Sequence, residues 1–133
     1  MVGNLNQVIG SSNTLQGNEN KVKGNSNQVK GNNNAMQGDW NKVMGEFNSL
    51  IGSKNNVFGS SNSVLGSQNN IAGSKNTVEG SENNVFGNVN KLSGKQNNIE
   101  GSGNRVFGNN NLIINSLEGF DFWWSLPHNF IKY

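Results

Sequence analysis

The chain has 133 residues, which suits a single domain, and only 32% of them are hydrophobic. The net charge is +2, its lysines and arginines are scattered, and cysteine is absent. This composition argues against a nucleic-acid-binding surface, disulfides and thiol chemistry. The single histidine is His128, and Asp39 and Asp121 are the only aspartates, so no metal cluster or calcium-binding repeat is encoded. We therefore predict a protein that is not an enzyme and that needs no cofactor.

From residue 3 to residue 114 the sequence repeats one heptad, Gly-x-x-Asn-x-apolar-x, sixteen times without a gap. A coiled coil is excluded because a glycine costs a helix interior about 1 kcal/mol, here once in every heptad. In a strand, side chains alternate, so the asparagine and the apolar residue, two positions apart, point to the same side. We expect that side to be the interior, with glycine at a bend that requires a positive φ or a close backbone approach.

A second period shows how many heptads close one coil. At the position before the apolar residue, alternate heptads carry Asn56, Asn70, Asn84 and Asn98. The heptads between them carry Ser49, Ser63, Thr77 and Lys91. This alternation predicts two heptads per coil, and hence an all-β protein, a β-solenoid or β-roll of about eight 14-residue coils. The odd-numbered heptads form one parallel sheet (the odd sheet) and the even-numbered heptads form the other (the even sheet).

The two ends of the repeat differ from its middle. After Ile114 the pattern breaks, and residues 115–133 hold six of the eleven aromatic residues of the chain, including Trp123 and Trp124. We predict that this second segment is an aromatic C-terminal cap over the last coil; the alternative is a tail that binds a partner. Only Met1 and Val2 precede the first repeat, so we expect an uncapped N-terminal end that allows self-association.

The heptad resembles the x-x-Asn-x-Val-x-Gly repeat of the grass ice-recrystallisation-inhibition proteins, the ryegrass antifreeze type. Residues 52–58 and 73–79 match it position by position, and the resemblance extends over residues 3–114. It implies a β-roll with 14-residue coils, inward valine and asparagine, and one flat face that binds ice. Because long charged side chains interrupt both faces of this chain, we expect the ice binding to be weak, of the recrystallisation-inhibiting kind. Residues 59–66 are also similar to the heads of trimeric autotransporter adhesins, but no coiled-coil pattern follows them.

The outward residues distinguish the two sheets. Ice binding needs a flat, rigid and regular array of short hydroxyl and methyl groups, and the middle of the odd sheet fits this best. The ice-face candidates are Ser49, Ile51, Ser63, Leu65 and Thr77. The even sheet instead carries an asparagine ladder beside an apolar strip, which is typical of a surface that packs against another protein. The partner-face candidates are Asn56, Phe58, Asn70, Ala72, Asn84 and Phe86, together with Trp123 and Trp124 in the tail.

The sequence gives little information on location. No apolar run approaches the ~20 residues of a membrane span, and no signal peptide is recognisable at the N-terminus. We therefore expect no membrane partner. The chain is expected to be cytoplasmic if Met1 is the native start, and extracellular if the chain is a trimmed mature form.

Overall fold

A computed structural model describes residues 1–115 and 130–132 of the protein. In these residues every regular element is a short β-strand, as the heptad predicts. The strands are β1 (Gln7–Ile9), β2 (Thr14–Gln16), β3 (Lys21–Lys23), β4 (Gln28–Lys30), β5 (Ala35–Gln37), β6 (Lys42–Met44), β7 (Ser49–Ile51), β8 (Asn56–Phe58), β9 (Ser63–Leu65), β10 (Asn70–Ala72), β11 (Thr77–Ser81), β12 (Asn84–Phe86), β13 (Lys91–Lys95), β14 (Asn98–Glu100), β15 (Arg105–Phe107), β16 (Leu112–Ile114) and β17 (Phe130–Lys132).

The strands form two parallel sheets that lie on opposite sides of one narrow core. The odd sheet contains the eight strands β1 to β15 with odd numbers, and the even sheet contains β2 to β16 with even numbers plus β17. Neighbouring strands of the repeat pair residues that are fourteen apart, as Ser49 with Ser63 and Ser63 with Thr77. The predicted β-solenoid of about eight 14-residue coils is therefore confirmed.

The core contains one apolar side chain from each heptad. Fourteen of them are buried, and Val8 and Ile113 pack against this cluster at its two ends. The buried residues are Leu15, Val22, Val29, Met36, Val43, Leu50, Val57, Val64, Ile71, Val78, Val85, Leu92, Ile99 and Val106. A buried aliphatic side chain contributes about 1.5–3 kcal/mol, so a core with one such residue in seven depends on its polar groups being fully paired.

The inward asparagines form two hydrogen-bonded ladders that flank the apolar core. Asn62 shows the pattern. Its Nδ2 donates to Oδ1 of Asn48 at 3.1 Å and to the carbonyl oxygen of Gly73 at 2.9 Å. Its Oδ1 accepts from the backbone N–H and from Nδ2 of Asn76, at 3.0 and 3.1 Å. Both amide protons and both oxygen lone pairs are thus used, which makes the burial of a polar side chain favourable.

Each turn contains two residues with positive φ. The first is the repeat glycine, where a methyl group would overlap the carbonyl oxygen of the glycine one coil away; Gly66, with φ of 134°, meets Gly80 in this way. The second lies two residues later and is almost always another residue type, such as Gln68 at 61° or the β-branched Val89 at 59°. The sequence predicts the glycine but gives no sign of the second position, because the residue there varies from coil to coil.

The solenoid ends differently at its two termini. At the C-terminal end β17 pairs in parallel with β16, Leu112 with Phe130, an offset larger than the fourteen residues of the repeat. Trp123 and Trp124 lie outside the described residues, so the aromatic cap stays a prediction. At the N-terminal end Val2 forms a single parallel bridge with Gln16 of β2. Self-association through that end also stays a prediction.

Candidate functional site

Each sheet presents two straight columns of outward side chains. Strand β9 is typical, since Ser63 and Leu65 are exposed on either side of the buried Val64. Parallel strands in a constant register place equivalent residues about 4.8 Å apart along the solenoid. The interior ladders hold every coil to the same spacing. Each outer face is therefore a regular array whose chemistry depends only on the residues that vary.

The odd face, the outer surface of the odd sheet, brings the five predicted ice-face residues together. They lie on the adjacent strands β7, β9 and β11. Ser49, Ser63 and Thr77 form one column of short hydroxyl groups, and all three side chains are exposed. Ile51 and Leu65 form the second column and are 51% and 49% exposed. Hydroxyl and aliphatic groups thus alternate across a neutral patch on this sheet.

Charged side chains limit the patch. Glu79 follows Leu65 in the aliphatic column and is exposed. In the hydroxyl column Thr77 is followed by Lys91 and then by Arg105, which places two like charges side by side. Because ammonium and carboxylate groups hold their own hydration shells strongly, the neutral surface ends at β11 on this side.

The even face, the outer surface of the even sheet, has a different character. Asn56 donates to Asn70 at 3.2 Å, Asn70 to Asn84 at 3.0 Å and Asn84 to Asn98 at 3.1 Å. Beside this ladder a second column contains Phe58, Ala72 and Phe86 in register. The structure thus brings together the six partner-face residues predicted on this sheet. The side-chain amides of the asparagines on this face form hydrogen bonds mainly with one another.

A lysine lies next to the asparagine ladder and the Phe58 column of the even face. The Nζ of Lys42 lies 5.8 Å from the ring centroid of Phe58, a cation–π contact. Its register neighbour Asn56 keeps an oxygen, Oδ1, that is buried without a hydrogen-bond partner. The position of Lys42 in the repeat predicts that it lies near Phe58 on the same face. The sequence does not predict that its Nζ contacts the ring of Phe58 rather than Oδ1 of Asn56, because this depends on the rotamer of Lys42.

The described residues offer no arrangement for metal chemistry. Within residues 1–115 and 130–132 no three His, Cys, Asp or Glu side chains are grouped so as to hold a metal ion. The same part of the chain contains no helix that is long and apolar enough to cross a membrane. The described surface instead presents two faces with a regular register.

The sequence matches a family whose described fold is the one observed. The model of the grass antifreeze beta roll family matches residues 1–88 and, in a second alignment, residues 30–116. The chain belongs to this family. The two matches overlap because the coils are equivalent to one another. No curated protein matches the chain. Membership in the grass antifreeze beta roll family supports ice as the binding partner, and the fold and family are non-catalytic in general.

Proposed function

We propose that this member of the grass antifreeze beta roll family inhibits ice recrystallisation by adsorbing weakly to ice through the middle of the odd face. One observation carries the proposal. Ser49, Ser63 and Thr77 form an exposed, in-register hydroxyl column beside the exposed aliphatic side chains of Ile51 and Leu65. The even face has no equivalent of this combination.

Ice binding is favoured when the groups of the binding surface are ordered before water binds. Holding a water molecule costs up to about 2 kcal/mol of entropy, so a surface binds ice best when its own groups are already fixed at a regular spacing. The ladders of buried asparagine hold the coils in register, as for Asn62 between Asn48 and Asn76. Hydroxyl groups then form hydrogen bonds with the first layer of water molecules. The neighbouring aliphatic groups limit the other orientations that these water molecules can adopt.

Weak adsorption follows from the size of the patch. It covers three coils, and Glu79 and Lys91 lie at its border on one side, with Arg105 one strand beyond Lys91. A short patch adsorbs reversibly, which is enough to slow the migration of grain boundaries but gives little arrest of a growing crystal. The protein is therefore proposed to act on recrystallisation and to give only slight thermal hysteresis.

The first experiment measures ice grain size in frozen sucrose with the full chain at low micromolar concentration, and thermal hysteresis in parallel. The control is the same solution with an equal mass of albumin. We expect clearly smaller grains than in the control and a small hysteresis. Grain growth equal to that in albumin would overturn the proposal.

A matched pair of variants then locates the face. Ser63→Tyr introduces a bulky ring on β9 of the odd face, and Ala72→Tyr introduces the same ring on β10 of the even face. We expect Ser63→Tyr to abolish the effect on grain size and Ala72→Tyr to retain it. The opposite result would transfer the ice-binding site to the even face.

A second candidate function is docking onto a protein partner through the even face or the tail. It is favoured by Phe58, Ala72 and Phe86, since Phe86 is 41% exposed and the asparagines beside this strip bond to each other. A pulldown with the full chain tests it against two variants, Phe58→Ser/Phe86→Ser and Trp123→Ala/Trp124→Ala. A specific partner lost in one variant would assign the surface. A partner lost in neither would argue against both surfaces.

A further inference from the structure

A second set of hydroxyl groups borders the odd face. Strand β11 does not end at Glu79 but continues to Ser81, and it pairs with β13 through Gly80 with Gly94 and Ser81 with Lys95. Thr77 and Glu79 alternate with the buried Val78 along this strand, and Ser81 follows across Gly80, whose φ of 130° begins the turn. The equivalent residues in the two preceding coils are Ser53 and Ser67. A serine column thus lies at the turn that directly follows the aliphatic column.

The oxygens of these serines are fixed by the backbone of the adjacent coil. Oγ of Ser53 accepts from the N–H of Asp39 at 3.2 Å, and Oγ of Ser67 accepts from the N–H of Ser53 at 3.2 Å. Oγ of Ser81 accepts from the N–H of Ser67 at 3.4 Å. Each hydroxyl still has its own proton to donate. These groups are therefore ordered before any ligand binds, with one hydroxyl per coil.

The serine column occupies the same coils as the hydroxyl column of the odd face. In the serine column the preceding residue is Asp39 and the following residue is Lys95. In the column of Ser49, Ser63 and Thr77, the preceding residue is Ala35 and the following residue is Lys91. Both columns of short hydroxyl groups thus begin and end at the same three coils, and this agreement points to one shared ligand surface.

We infer that Ser53, Ser67 and Ser81 are a third column of the ice-binding surface. The surface is then an array of three columns by three coils that extends from the odd face onto the adjoining turns. The inference rests on the proposed function and deepens it. It adds binding residues that sequence reasoning missed, because a serine directly after the repeat glycine reads only as a turn residue.

The opposite edge provides a matched control. Oγ of Ser74 accepts from the N–H of Ser60 at 3.3 Å, which is the same bond that Ser67 receives from Ser53. Ser67 and Ser74 are also both half-buried. Their difference is location, since the strand before Ser74 ends with Ala72 of the even face. Loss of either hydroxyl thus removes the same structural bond, but Ser67 directly follows the strand that ends with Leu65 of the proposed ice face, whereas Ser74 follows the strand that ends with Ala72 of the even face.

The test compares the full chain with Ser67→Ala, Ser74→Ala and Ser67→Thr. The measurements are the lowest protein concentration that limits grain growth and the thermal midpoint of unfolding. We expect Ser67→Ala to raise that concentration severalfold, Ser67→Thr to raise it less because the hydroxyl is kept, and Ser74→Ala to leave it unchanged. The two alanine variants are expected to shift the midpoint equally.

Equal grain-growth concentrations for Ser67→Ala and Ser74→Ala would overturn the third column. If Ser63→Tyr still abolished the effect, the proposed function would stand without that column. An inactive unmodified chain would overturn both the column and the proposed function. A loss of activity in Ser67→Thr as large as that in Ser67→Ala would also count against the column, because threonine keeps the hydroxyl.

Discussion

The odd and even faces share one interior and differ only in their outward residues. On the even face Asn70 donates to Asn84 and accepts from Asn56, so its amide is largely occupied by its neighbours. On the odd face the hydroxyls of Ser63 and Thr77 have no hydrogen-bond partner within the described residues. The hydroxyl groups of the odd face therefore remain available to bind water, whereas the amides of the even face are largely occupied by each other. Two surfaces of unlike chemistry can therefore be built on the same repeat.

The largest expected loss of stability comes from the repeat glycines, and it tests whether the turns from the odd to the even sheet and those from the even to the odd sheet are equivalent. Gly66→Ala and Gly73→Ala each place a methyl group against the carbonyl oxygen of a glycine one coil away, Gly80 and Gly87 respectively. Those oxygens also accept from inward asparagines, so neither can move without breaking a bond. We expect each variant to lose more than about 4 kcal/mol of unfolding free energy. Urea unfolding followed by circular dichroism measures this loss. A marked difference between the variants would contradict the equivalence.

A smaller but still large loss of unfolding free energy is expected when an asparagine is removed from either ladder. Asn62→Ala removes a partner from Asn48, Gly73 and Asn76. Asn69→Ala does the same in the other ladder. A buried group without its partner costs about 1–3 kcal/mol, so we expect each variant to lose more than about 2 kcal/mol in the same urea experiment. A loss below about 1 kcal/mol in either variant would show that the ladder is not needed to support the narrow core.

Much of the fold could be predicted because every coil repeats the same constraints. The heptad places Asn62 and Val64 inside, and the fourteen-residue period pairs Ser49 with Ser63. The second left-handed turn position was missed, since the residues there share no property that reveals their φ. The offset pairing of β17 with β16 also has no signal, because Phe130 lies beyond the repeat.

The candidate site was less predictable than the fold. The columns of Ser63 and Leu65 follow from the period alone. The serine column was missed because its role depends on a bond from the backbone of the adjacent coil, as from Ser53 to Ser67. The repeated asparagine and apolar positions face inward, so the motif that identifies the family describes the core and leaves the choice of face to irregular residues.

Removing a charge from the odd face is expected to increase the difference in ice binding between the two faces. Glu79 stands in the aliphatic column of the odd face between Leu65 and Ser93. Glu79→Leu replaces a strongly hydrated carboxylate by an aliphatic group, and we expect a severalfold lower protein concentration to limit grain growth. The control is Glu100→Leu at the equivalent position of the even face, next to Phe86, which should change nothing. Equal gains in both variants would indicate a general effect of net charge.

The smallest expected change in stability concerns a turn outside the proposed ice-binding patch. Val89 has a φ of 59° and is 60% exposed, so a β-branched side chain adopts a left-handed conformation with little burial in return. Such strain costs about 1–3 kcal/mol, and asparagine tolerates this conformation better. We expect Val89→Asn to raise the unfolding free energy by about 1 kcal/mol while the inhibition of grain growth stays the same. The control is Gln68→Asn at the equivalent turn position, where φ is 61° but the side chain is unbranched, and its gain should be smaller. An equal gain in both variants would mean that β-branching at this position carries no extra strain. A change in grain growth with Val89→Asn would mean that the turns beyond the patch take part in binding ice.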